Sequence, residues 1–452
     1  MFALLCSFMY GSFAYDLLRS DFSKLITLFG ALFFLSYKLI KIYGWNFWLL
    51  AGMGVIFRVI FIAAFPNLSQ DFYRFIWDGR LIAQGINPYL FTPAEYMDGL
   101  VSGVHISQAA ELHNGMGGLN AGHYTNYPPL NQFFFGIAGL LAGKSIFGSV
   151  VVMRIIIILA DIGILYFGKK ILELLKLPVY NIFWYFLNPF IIIELTGNLH
   201  FEGVMLFFMC WALFELFRRN WFIPGLLYGL SVSVKLIPLL FLPLFFRYFV
   251  HEGVFGKGFW KTKKFYWLVL LTIILSFLPF SSDEFLSNFF QTISLWFQDF
   301  EFNASIFYII RWIGFETVGW DPIETAGKVL AGLVFLCILA IAFLRNNAAA
   351  SDLIVAMLAA ITIYLLLSTT VHPWYIATPL LLAVFTKYRF PVIWSAVVML
   401  SYSAYGEAGF SENLWLVATE YCLLFGYMIW EIFFKSRSPG TRVKSKIFQP
   451  AH

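Results

Sequence analysis

The sequence predicts an all-α polytopic membrane protein, a single helical bundle with about 13–14 transmembrane helices. Two observations carry that prediction, and a third excludes the main alternative. Of the 452 residues, 60% are hydrophobic and only 12% are charged. An ordinary soluble domain carries roughly 25% charged residues. Apolar runs of about 20 residues, the length that crosses a bilayer as a helix, recur along the chain. These runs lack the strict apolar–polar alternation of a membrane β-barrel.

Spans are expected near 1–16, 23–41, 46–65, 148–168, 180–197, 202–217, 221–235, 236–250, 265–280, 325–344, 352–371, 373–386, 390–404 and 412–434. Met1–Ala14 has no basic flank and no small-residue cleavage site, so it is read as a retained span. Several runs are short enough to be broken or tilted helices. Asn188-Pro189 lies inside one span and should kink it. Arg154 and Asp161 share another and should pair inside the bundle.

Basic residues set the orientation, because short Lys/Arg-rich loops stay in the cytoplasm. Lys38/Lys41, Lys169/Lys170/Lys176, Arg218/Arg219, Lys257–Lys264, Arg345, Lys387/Arg389 and the basic tail 435–452 all fall on one side. This holds only if Leu130–Ala142, too short for a full span, fails to cross and instead re-enters or lies on the surface. The opposite face then collects most carboxylates, Asp299 and Glu301 among them, and five of the seven histidines; His251 stays inside. The four cysteines lie far apart within apolar runs, without metal-ligand spacing, and read as packing residues.

The outer face carries one long polar loop, residues 66–129, with five carboxylates, two arginines and three histidines. A structured loop of this kind points to chemistry at the bilayer surface. The rest of 1–434 reads as one transmembrane domain, with no internal repeat.

Asp71 stands where the third span leaves the bilayer. A carboxylate there is partly desolvated, which raises its pKa and improves it as a general base. Ser69-Gln-Asp71 also reads as an ordinary helix start. Asp78 follows two turns later, with Arg74 and Arg80 nearby; Arg74 and Asp78 are either substrate ligands or an i,i+4 ion pair. Gly79, Gly85, Asn87 and Pro88 are expected to end the helix in a turn. Tyr127-Pro-Pro129 sets an extended entry to the next segment. His200 and Glu202 stand at the outer end of a span, as ligands for a sugar or phosphate or as interface anchors. Lys235 sits at the outer turning point of 221–250, where it meets a lipid phosphate or snorkels to water. His372-Pro-Trp-Tyr375 occupies another outer turn; Trp374 and Tyr375 fit an interface belt or a sugar-stacking surface. Arg311 is a further phosphate candidate.

Taken together, Asp71, Gly-x-Asn-Pro-Tyr at 85–89, Tyr-Pro-Pro at 127–129, Asn-Pro at 188–189 with His200 and Glu202, Lys-x-x-Pro at 235–238 and His-Pro-Trp-Tyr at 372–375 resemble the GT-C glycosyltransferases. The resemblance is to the polyprenyl-phosphate-mannose-dependent mannosyltransferases and covers roughly residues 46–390. Two spans precede the large loop here, rather than the usual one. The resemblance implies a GT-C-like bundle, a polyprenyl-phosphate-linked sugar donor from the surrounding membrane lipid, and a glycan or glycolipid acceptor. It implies no nucleotide sugar. No cofactor, metal-ligating residue or nucleic-acid partner is expected from the sequence, which leaves metal dependence open, and the site is expected on the outer, periplasmic face of a bacterial inner membrane. Asp71 takes the role of catalytic base. Lys235, His372 and Arg311 become donor-phosphate ligands, and Asp78, Arg74, Tyr127, His200, Glu202, Trp374 and Tyr375 substrate contacts. Two other classes compete: a transporter or flippase, with inverted repeats and paired broken helices, and a membrane acyltransferase with His372 as base.

Overall fold

A computed structural model describes residues 1–101, 103–220, 222–250, 257–298, 300–407 and 409–435. His251, Asp299 and the tail beyond Lys435 lie outside the described residues. Among the described residues the fold is all-α apart from a small hairpin of two two-residue strands, Tyr405–Gly406 with Gly409–Phe410.

The chain opens as a helical hairpin, α1 (Phe2–Tyr15) and α2 (Phe22–Tyr43), followed by α3 (Phe47–Val59). Short polar side chains start α2 and α3 by accepting orphan backbone N–H groups. Asp21 accepts from Lys24 N at 3.0 Å and Asn46 from Leu49 N at 3.1 Å. The long polar loop follows as α4 (Asp71–Ala83), α5 (Pro93–Met97), α6 (Ala109–Ala121) and α7 (Pro129–Ala142). The remaining bundle comprises α8 (Ile146–Leu174), α9 (Val179–Phe186), α10 (Pro189–Gly197), α11 (Glu202–Phe217), α12 (Phe222–Val234), α13 (Ile237–Val250) and α14 (Lys257–Phe277). It closes with α15 (Asp283–Gln298), α16 (Ile306–Thr317), α17 (Ile323–Leu344), α18 (Ala350–Leu367), α19 (Pro373–Val384), α20 (Phe390–Ala404) and α21 (Leu414–Ile429).

Six helices are long and apolar enough to cross a membrane singly, among the described residues. The pair α9 and α10 adds a seventh span bent by 48° at Asn188-Pro189. This is the kink expected of proline. Seven further apolar helices are shorter, including α12 and α13, which break at Lys235. The α7 helix is one of them. At the α-helical rise it is about 21 Å long, short of a hydrocarbon core of about 30 Å.

The bundle interior departs from the expected pairing. Asp161 is held by Arg58, not Arg154, at 2.8 Å, and both are fully buried. The Arg154 guanidinium donates to four carbonyls: Ile62 and Ala64 just past α3, Thr196 and Gly197 at the end of α10. It thereby clamps the approach to the polar loop onto α10. Glu194 accepts from Tyr402 at 2.8 Å. The ionisable groups at mid-bundle thus have protein partners, and α9–α10 is the one sharply bent pair among the described residues long and apolar enough to make a broken span. Neither observation favours a transport path.

In the polar loop, Gly79 does not end a helix. It sits inside α4, where any Cβ would strike the Phe135 carbonyl of α7. Gly139 of α7 likewise faces the Gly79 carbonyl. Two glycines let the helix backbones touch, and that close approach explains Gly79 better than turn chemistry. Gly85, at φ +74°, makes the turn instead. Asn87 then bonds Phe280 O at 2.9 Å, and Asn288 bonds Tyr89 O at 3.0 Å, so the loop is tied to the α14–α15 region.

Candidate active site

Three chain segments converge at the start of α4. Asn67 donates to Phe13 O at 2.7 Å and Leu17 O at 3.3 Å, fixing the loop against the α1–α2 turn. Leu68 N donates to Asn198 Oδ1 at 2.9 Å, fixing it to the end of α10. Leu199 adopts a left-handed φ of 61° and reverses the chain before His200. That conformation is costly for a branched aliphatic residue.

Asp71 is the first residue of α4, after Gln70. It is part-buried, and its carboxylate makes no hydrogen bond or ion pair among the described residues. Burial pushes its carboxyl above the usual carboxylate range. The charges of Lys235 and Arg19 pull it back, and Glu202 pushes it further up. A carboxylate in the first turn of a helix also meets the positive end of its dipole, which favours the ionised form.

Lys235 leaves the end of α12 and its Nζ lies 2.9 Å from Glu202 Oε1. It also stands 5.3 Å from the centre of the Tyr127 ring. Glu202 is fully buried, and its Oε2 has no hydrogen-bond partner among the described residues. Tyr127 is itself set by Tyr89, whose hydroxyl donates to the Tyr127 carbonyl at 2.6 Å.

Beside this pair stands a stack of three rings. His200 lies on Trp374 with centroids 3.7 Å apart, and His372 lies on Trp374 at 4.5 Å. Trp374 thus stacks with two imidazoles that come from segments far apart in the chain. Burial lowers His200 well below the ordinary imidazole range and His372 to about 3, with Lys235 adding to each. Both are therefore neutral near pH 7. His200 Nε2 lies 3.8 Å from Glu194 Oε2. Tyr375 packs edge-on against both Trp374 and His372.

Of the residues anticipated from sequence, Asp71, Lys235, Glu202, His200, His372, Trp374, Tyr375 and Tyr127 come together. Three do not join them. Arg74 Nε is bonded to Asp78 at 2.9 Å, and its NH1 group to the carbonyls of Asn120 and His123. Asp78 also accepts from Gln132 at 2.9 Å and is fully buried, so this pair ties α4 to α6 and α7. Arg311 pairs with Glu301 and lies over Tyr308, whose hydroxyl donates to Glu412. That is a separate cluster binding α16 to the segment before α21.

One member was missed. Arg19, in the α1–α2 turn, lies over the Tyr405 ring at 3.3 Å, and its charge is felt by Asp71, His200 and His372. In sequence it is a lone arginine between two short apolar runs, and nothing nearby marks it.

Residues 46–251 match a protein-family model described as alpha-(1->6)-mannopyranosyltransferase, N-terminal domain. No curated protein matches the chain. The family match bears out the resemblance to GT-C mannosyltransferases read from the motifs. With the apolar helices, it supports an integral membrane mannosyltransferase.

Proposed function

Starting from a membrane mannosyltransferase, we propose that the chain moves mannose from a polyprenyl-phosphate donor to a hydroxyl of a glycan or glycolipid at the outer membrane face, with inversion and in α-(1→6) linkage. The observation that carries this reading is Asp71. It is a part-buried carboxylate without a partner among the described residues, its pKa raised by burial, within the field of a lysine and an arginine.

The step follows from that placement. Asp71 accepts the proton of the acceptor hydroxyl as its oxygen attacks the anomeric carbon. The bond from that carbon to the phosphate oxygen breaks on the opposite face, and its electron pair leaves with the polyprenyl phosphate. Cationic and N–H groups aimed at the departing phosphate stabilise the charge that develops there. Lys235, His200 and His372 border that position. Glu202 holds Lys235 in place and offers Oε2 to a sugar hydroxyl.

The test uses the full chain in nanodiscs, with radiolabelled polyprenyl-phosphate mannose and a short mannoside acceptor. Transfer of label into an α-(1→6)-linked product, with release of polyprenyl phosphate, is the expected result. Movement of the donor across the bilayer without bond change would instead identify a flippase. Transfer from a nucleotide sugar alone would overturn the donor assignment.

A further inference from the structure

Arg19 differs from the other cation of the site. Lys235 is neutralised by Glu202 at 2.9 Å. Arg19 has no carboxylate within ion-pair distance among the described residues, and its Nε is buried without a hydrogen-bond partner. A guanidinium presents paired N–H donors suited to a phosphate, so one whose charge reaches Asp71, His200 and His372, with donors to spare, is poised for an anion.

An apolar cleft of about 310 Å³ opens along α2, the helix that Arg19 precedes. Its lining is mostly one face of α2, with Ile26, Gly30, Phe33 and Tyr37, and α20 contributes Ala396. The same two elements end at the site: α2 starts just after Arg19, and α20 leads into Tyr405, on which Arg19 is stacked. Gly30 is exposed in this cleft, and a Cβ there would meet nothing within 4 Å. The cleft therefore runs along the bilayer-spanning part of α2, and an unneutralised cation stands at the end where α2 begins.

We propose that Arg19 and the α2–α20 cleft together form the binding site for the lipid half of the donor. The Arg19 guanidinium holds the phosphate, and the first isoprene units of the polyprenyl tail lie in the cleft. This rests on the mannosyltransferase reading for its choice of lipid. It places donor recognition partly in residues 1–45, ahead of the segment that matches the family model. A phosphate on Arg19 meets the anomeric carbon beside Asp71, and the tail stays in the membrane throughout.

Two variants and two readouts test it. Gly30→Trp fills the cleft without removing a contact. It should raise KM for a long-chain donor by about tenfold or more, the loss expected when a few methylenes cannot be buried. KM for a donor carrying only two isoprene units should stay near wild type. Arg19→Ala should raise KM for both donors by about 10- to 100-fold, with Arg19→Lys recovering part of the loss and kcat changing less than KM. Equal KM for the long-chain donor in wild type and Gly30→Trp would overturn the cleft assignment. Unchanged KM in Arg19→Ala would overturn the phosphate assignment. The second readout needs no turnover: a photoreactive, sugar-free polyprenyl phosphate in phosphatidylcholine nanodiscs should label α2 in wild type and not in Gly30→Trp. Labelling of α2 by a protein that transfers no mannose would sink the mannosyl-transfer reading and leave the lipid site standing. Labelling abolished by replacing the bilayer with phosphatidylglycerol would assign the cleft to bulk phospholipid and overturn the proposal.

Discussion

Asp71 and Asp78 lie two turns apart on one helix, and their surroundings are opposite. Asp78 is fully buried and its oxygens accept from Arg74 and Gln132. Asp71 is part-buried and its oxygens accept from nothing among the described residues. A buried carboxylate with all its bonds made is a fastener, because removing it strands a charge. A desolvated carboxylate left without bonds lowers stability, and proteins keep such groups where they do chemistry. The same residue type, two turns apart, thus separates the part of α4 that holds the loop together from the part we propose to be catalytic.

The largest expected effect comes from Asp71→Asn. Loss of a positioned base lowers kcat by about 10²- to 10⁴-fold. Stability should move the other way. Because burial raises the folded-state pKa of Asp71 above its ordinary 3.8, the folded protein binds more protons than the unfolded chain between those two values. Stability contributed at this position therefore falls as pH rises through that window and stays low above it. Asparagine removes the penalty, so the midpoint of thermal unfolding at pH 7 should equal or exceed wild type while transfer collapses. A variant that keeps its rate would break the comparison.

Asp78→Ala should show the reverse signature. It leaves the Arg74 guanidinium buried beside two carbonyls with no counter-charge, at a cost of about 3–5 kcal/mol. Denaturant unfolding in detergent should show this loss, and turnover per folded molecule should stay close to wild type. A turnover defect as deep as that of Asp71→Asn, in protein of normal stability, would return Asp78 to the substrate site.

The pH profile sharpens the contrast further. The base must be ionised, so the acid limb of kcat/KM should lie above the ordinary carboxylate range. Lys235 pulls the Asp71 pKa down and Glu202 pushes it up. Glu202→Gln should therefore move the limb to lower pH, and Lys235→Met to higher pH. Identical limbs in both variants and wild type would assign the limb to another group.

Much of this was legible in the sequence, and the rest was hidden for physical reasons. The all-α membrane class follows from composition and run length, and the kink at Asn188-Pro189 from proline's missing N–H. The convergence of Asp71, Lys235, His200 and His372 followed from their common outer face. Pairing inside the bundle was not legible. Arg154 satisfies itself on backbone carbonyls, which carry no sequence signal, and Asp161 takes its partner, Arg58, from a distant helix. Arg19 was hidden because the α1–α2 turn is tied to the site through Asn67 and the Tyr405 ring, both distant in sequence. The His200–Trp374–His372 stack was hidden likewise, since its rings come from two segments far apart along the chain.

The smallest expected effect probes what joins the two aspartates. Gly79 directly follows Asp78, at the point where α4 meets the backbone of α7. In Gly79→Ala the new methyl group must push α7 away, at a cost of about 1–3 kcal/mol by overpacking. The Arg74–Asp78–Gln132 fastener lies across the same interface and resists the shift, so part of the displacement should pass along α4 toward Asp71. Misplacing a catalytic group by about 1 Å can cost up to about 10²-fold in rate. Gly79→Ala should therefore lower kcat more than its modest stability loss suggests, with little change in KM for donor. If unfolding shows the expected loss and kcat is untouched, α4 does not transmit strain to Asp71, and the helix is two independent halves.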